Sequence, residues 1–109
     1  MQTKIVRTAA LAIAVAALSP AAFAQADPEP LMKKSGCFKC HAVSSKKDGP
    51  SYKSVAEKYK GKADAEQKLY THLTTNPKVK IDGKEETHES LKTKDDKDVK
   101  AVIQFILSR

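Results

Sequence analysis

Hydrophobic positions along the chain form one unbroken run near the start and four short periodic stretches after it. Ala9 to Leu18 carry no charged or polar side chain. From about residue 27 onward, apolar residues recur three and four apart, the spacing that lines one face of a helix. Tyr52, Val55, Ala56 and Tyr59 fall at i, i+3, i+4 and i+7 in a segment from about Pro50 to Tyr59. Val99, Val102, Ile103 and Ile106 repeat that spacing between about Asp95 and Leu107. Leu69 and Leu73 share a face in a segment opening at Asp64, and Leu31 and Met32 are the apolar contacts of a shorter one, about Pro28 to Gly36. No segment reads convincingly as a strand. The pattern predicts a small all-α domain of about four helices.

Punctuation supports these limits. Asp27 can cap the first helix, with Pro28 at its first position. Gly61 suits the end of the second. Asp64 and Gln67 have the spacing of a capping box, and Asn76-Pro77 stops the third helix. Thr93 is the expected cap of the fourth, where Asp95, Asp96 and Asp98 favour the positive helix end. Asn76 to Lys92 is left as a long polar loop with a turn signal at Asp82-Gly83. Loops this long in small domains tend to be functional, and this one holds His88.

The leading run changes the count of residues that fold. Lys4 and Arg7 precede it, and Ala22-Phe23-Ala24 follows with small residues at the −3 and −1 positions of a cleavage site. Residues 1–24 therefore read as a secretory signal peptide, cleaved after Ala24 or, alternatively, after Ala26. A retained anchor is the competing reading, but the run is about ten residues where a span needs about 20. The expected mature domain is 25–109, in the periplasm, with no integral membrane segment. So small a domain buries little core and gains from a staple or cofactor.

The whole chain carries 20 basic and 13 acidic residues, net +7. Losing Lys4 and Arg7 leaves 18 basic residues against 13 acidic, net +5. An exported protein rarely meets nucleic acid, and no interleaving of aromatics with arginine suggests it. The excess lysine is either a solvated surface or a means of steering toward redox proteins with acidic docking surfaces.

Both cysteines of the chain lie in Gly36-Cys37-Phe38-Lys39-Cys40-His41. A thioredoxin-like redox pair would follow a strand in an α/β pattern, which is absent. A zinc site needs four good ligands, and there is no second cysteine pair. The remaining reading is C-x-x-C-H, covalent attachment of a c-type haem. Cys37 and Cys40 then form thioethers to the haem vinyl groups, and His41 is the proximal iron ligand. Export agrees with this, because such attachment happens outside the cytoplasm.

Together these residues resemble a small bacterial monohaem cytochrome c of class I. The similarity is strong in GCFKCHAV and in residues 49–66, GPSYKSVAEKYKGKADAE, and weak from Asn76 to Glu89. The resemblance implies the class I fold around one covalent haem c and its iron. It implies that the carbonyl of Pro50 accepts a hydrogen bond from Nδ1–H of His41. It also implies that Phe105 on the last helix crosses the first helix at Gly36.

The family usually places a methionine on the other side of the iron, shortly before the last helix. That methionine is missing here. Met32, the one methionine beyond the signal segment, is expected in the core. His88 stands five residues before Thr93, close to the family's methionine spacing, and is the leading candidate for the distal iron ligand. His72, at a position where the family tends to carry a basic residue near a haem propionate, is a candidate propionate contact and a rival ligand. Loop lysines or an open position complete the alternatives. Bis-histidine ligation implies a lower potential than methionine ligation. The function expected is a monomeric, non-enzymatic electron carrier. The alternative is a gas-binding or sensing protein with a displaceable distal histidine. A peroxidase would want distal acid–base groups beside an open iron, and no such constellation stands out.

Overall fold

The computed structural model describes residues 27–109. The expected signal peptide and both cleavage positions lie outside the described residues. Five helical elements and one hairpin follow in order: α1 Glu29–Lys34, α2 Cys37–Cys40, α3 Tyr52–Tyr59, α4 Ala65–Thr74, β1 Lys78–Ile81, β2 Lys84–Thr87 and α5 Asp96–Leu107. Among them no helix is long and apolar enough to cross a membrane.

The periodic faces predicted from sequence meet in one core. Val99, Val102, Ile103 and Ile106 of α5 are all buried, and α3 and α4 pack against that face through Tyr52, Leu69 and Leu73. Met32 is fully buried among them. Burial of such side chains, at about 25 cal/mol per Å² of apolar surface, is the main force holding the short helices in place.

The ends of the elements differ from expectation in several places, each for a local reason. The first helix stops at Lys34 because Gly36 takes a left-handed conformation, φ 77°, and α2 begins afresh after it. A side chain on Gly36 would point toward those of Glu89 and Lys39. Phe105 packs edge-on against Tyr52, with ring centroids 6.0 Å apart. Asp27 accepts from the N–H of Glu29 at 3.0 Å. Ser51 caps α3, accepting from the N–H of Ser54 at 3.1 Å. Asp64 makes no capping bond and no box with Gln67, and pairs with Lys68 at 3.0 Å. Asp95, not Thr93, caps α5, accepting from the N–H of Lys97 at 2.9 Å. Thr93 accepts from the N–H of Asp95 and donates to the carboxylate of Asp98.

The stretch expected to be a long loop without strands contains an antiparallel hairpin, with Val79 opposite Glu86 and Ile81 opposite Lys84. Its turn is Asp82-Gly83, with φ of 51° and 79°. Two positive φ values match the right-handed twist of paired strands, which is why Asp-Gly is favoured there. The segment after the hairpin is tied down at several points. The N–H of His88 donates to the carbonyl of Pro77 at 2.8 Å, and that of Leu91 to Leu73 at 2.9 Å. Ser90 is hydrogen-bonded to Asn76, and the N–H of Lys92 donates to the buried Ser35 hydroxyl at 2.9 Å. His88 is thereby fixed between the ends of α4 and α1.

Candidate haem site

Cys37 and Cys40 lie three apart on the single turn of α2, a spacing that sets both thiols on one side of it. Both are half-buried free thiols. Burial pushes the Cys37 thiol upward, partly offset by the Tyr52 hydroxyl beside it. Burial likewise pushes the Tyr52 phenol up. The N–H of His41 donates to the carbonyl of Cys37 at 3.0 Å, closing the turn, and the chain then leaves in an extended conformation.

That exit carries the His41 ring to the Gly49-Pro50 segment. Pro50 lies outside α3, so its carbonyl is free of the helical ladder. His41 Nδ1–H donates to it at 2.7 Å. The loop is held in register by the N–H of Gly49 donating to Cys40 at 2.7 Å and that of Tyr52 to Ala42 at 3.0 Å. A Cβ on Gly49 would stand 2.7 Å from His41 Nδ1, closer than side-chain atoms approach, so only glycine leaves room for the imidazole. His41 also stacks on Tyr52, with centroids 5.4 Å apart and planes 25° apart.

His88 faces His41 with ring centroids 6.2 Å apart and planes 51° apart. His88 Nδ1 is buried with no hydrogen-bond partner among the described residues. His72, from α4, packs on the His88 ring with centroids 4.1 Å apart. Burial pulls the His72 imidazole down to about 4, reinforced by the like charges of His88 and His41 when protonated. Burial and His41 lower His88 in the same way. Both rings are thus favoured in the neutral form, the one that binds metal. The three sequence-predicted histidines come together in one place, and Met32 is buried in the core.

The residues fit a haem. Two imidazoles bound to one metal at about 2 Å each, with ring centres roughly an ångström further out, need centroids about 6 Å apart. The His41–His88 spacing meets that requirement. Among the described residues no group of three or more His, Cys, Asp or Glu is placed to hold a bare metal ion.

Residues 26–109 match the sequence model of the cytochrome c family. The chain belongs to the cytochrome c family. That family carries one covalently attached haem c with its iron. The crystal structure of the class 1 cytochrome MtoD from Sideroxydans lithotrophicus ES-1 is 49% identical, with a TM-score of 0.71 covering 75% of this chain and 91% of that one. Nitrosomonas europaea cytochrome c552 gives a TM-score of 0.57 at 30% identity, over 73% of this chain and 96% of that one. The architecture is therefore the class I cytochrome c fold. In sequence, cytochrome c2 of Rubrivivax gelatinosus is 39% identical over 75% of this chain and 96% of its own length. Cytochrome c-551 of Pseudomonas aeruginosa is 54% identical over 39% of this chain, and the match spans 41% of that relative's length. For cytochrome c-552 of Hydrogenobacter thermophilus the span is 53%.

Some site residues were not singled out in the sequence. Gly49 was read only as part of a family-like stretch, although its adjacency to Pro50 was visible. Tyr52 was read as a face residue of α3, and its stacking on His41 follows from the loop path. The ties at Ser35, Asn76 and Ser90 join positions as much as 57 residues apart, and no local pattern signals them.

Proposed function

We propose that this protein is a periplasmic electron carrier with a bis-histidine haem. In this reading residues 1–24 are removed, and Cys37 and Cys40 hold the haem through thioethers. His41 is the proximal ligand, oriented by its hydrogen bond to Pro50. His88 is the distal ligand. The bound haem supplies one-electron chemistry, and its potential is lower than with methionine in place of His88. His72 also carries a ring nitrogen suited to a haem propionate. Surface lysines steer a monomer toward acidic redox partners in weak, salt-sensitive encounters.

The observation that carries this reading is the His88 imidazole, whose ring centroid lies 6.2 Å from that of His41. With both axial positions filled by protein, electrons pass without substrate binding. Carbon monoxide mixed with the reduced holoprotein tests this: slow or undetectable uptake is expected. Fast uptake at ordinary gas pressures would instead identify a ligand-binding protein with a displaceable His88.

A further inference from the structure

His41 and His88 are held differently. His41 has its ring plane set by a hydrogen bond from Nδ1 to Pro50 at 2.7 Å. Metal-binding histidines are usually fixed in this way, through the nitrogen that does not bind the metal. The Nδ1 of His88 has no such partner among the described residues. Its backbone is tied to Pro77, a bond that does not itself set the ring's rotation about χ2. An aromatic ring packed against it is that of His72, with centroids 4.1 Å apart and planes inclined at 51°. Rings at that separation are in van der Waals contact, so rotation of one drives it into the other. His72 is itself rigidly mounted. It sits in α4 beside the buried Leu73, and α4 is packed on α5.

We infer that His72 is a positioning residue that sets the ring orientation of His88 by packing, in place of the absent hydrogen bond. This rests on the reading of His88 as the distal ligand. The angle between two axial imidazole planes governs the electron paramagnetic resonance of a low-spin ferric haem. Near-parallel rings give a rhombic spectrum, and crossed rings give one dominated by a single large g value. The 51° between His41 and His88 is the angle that His72 maintains.

The test compares oxidised wild type, His72→Ala and His72→Phe holoproteins by electron paramagnetic resonance, together with carbon monoxide uptake by their reduced forms. His72→Ala should stay low-spin but shift or broaden its g values. Its carbon monoxide uptake, limited by His88 release, should be about 2- to 10-fold faster, the range expected from losing one ring–ring contact. His72→Phe restores a flat ring and should return both readings toward wild type. Wild-type g values and uptake rates in His72→Ala would overturn the inference. So would failure of His72→Phe to rescue while His72→Asn did, because hydrogen bonding would then be the operative contact. A high-spin His72→Ala would make His72 itself the ligand and overturn both readings. Failure of the distal-ligand reading alone is told apart by a His88→Ala spectrum identical to wild type.

Discussion

At Gly49 a single missing side chain admits the His41 imidazole. A Cβ there would lie 2.7 Å from His41 Nδ1, so Gly49→Ala must displace the ring or the loop. Overpacking of this kind costs about 1–3 kcal/mol. Denaturant melts of the holoprotein should show that loss, with a change in the ferric spectrum as the Pro50 hydrogen bond lengthens. Met32 behaves differently. It is fully buried, and Met32→Ala should cost about 2–5 kcal/mol while leaving the low-spin spectrum unchanged. Loss of the low-spin form in that variant would make Met32 a ligand. The chemistry-bearing residues were legible because their spacing is local: Cys37, Cys40 and His41 are contiguous. His88 stood out only through its distance from the last helix. The role of Gly49 was hidden because a clash depends on how the loop folds back.

The elements were legible where apolar residues repeat over several turns, as in α5, and less so at their ends. Asp95 and Thr93 both have side chains able to cap α5, and sequence does not decide between them. In the structure Asp95 bonds the helix, and Thr93 instead joins Asp95 to Asp98. Asp95→Ala should cost about 0.5–2 kcal/mol, read as a lower denaturation midpoint with an unchanged slope. An unaltered midpoint would return the capping role to Thr93. The hairpin went unseen although its signals were present. Lys78 to Ile81 alternates polar and apolar, and Asp82-Gly83 is a hairpin turn. Four-residue strands rich in lysine and glutamate bury little, and their apolar content is below what a periodicity reading requires. The last helix was expected to touch the first at Gly36. Gly36 is needed for its backbone angle, and a side chain there would meet Glu89 and Lys39.

At the scale of the molecule, helices α1, α3, α4 and α5 enclose a core that is completed on one side by the segment carrying His88. That segment is anchored to α4 through Leu73 and Asn76 and to α1 through Ser35, so His88 is presented by backbone ties as well as packing. Class I architecture could be read from the haem motif and the second helix. The closure of the side that carries His88 could not, because its hydrogen bonds join segments far apart in sequence. The central claim is that His41 and His88 share one iron. Its most direct test is the electron paramagnetic resonance spectrum of oxidised His88→Ala holoprotein. Loss of the wild-type low-spin signal and appearance of a high-spin one is the predicted result, and an unchanged low-spin spectrum would contradict it.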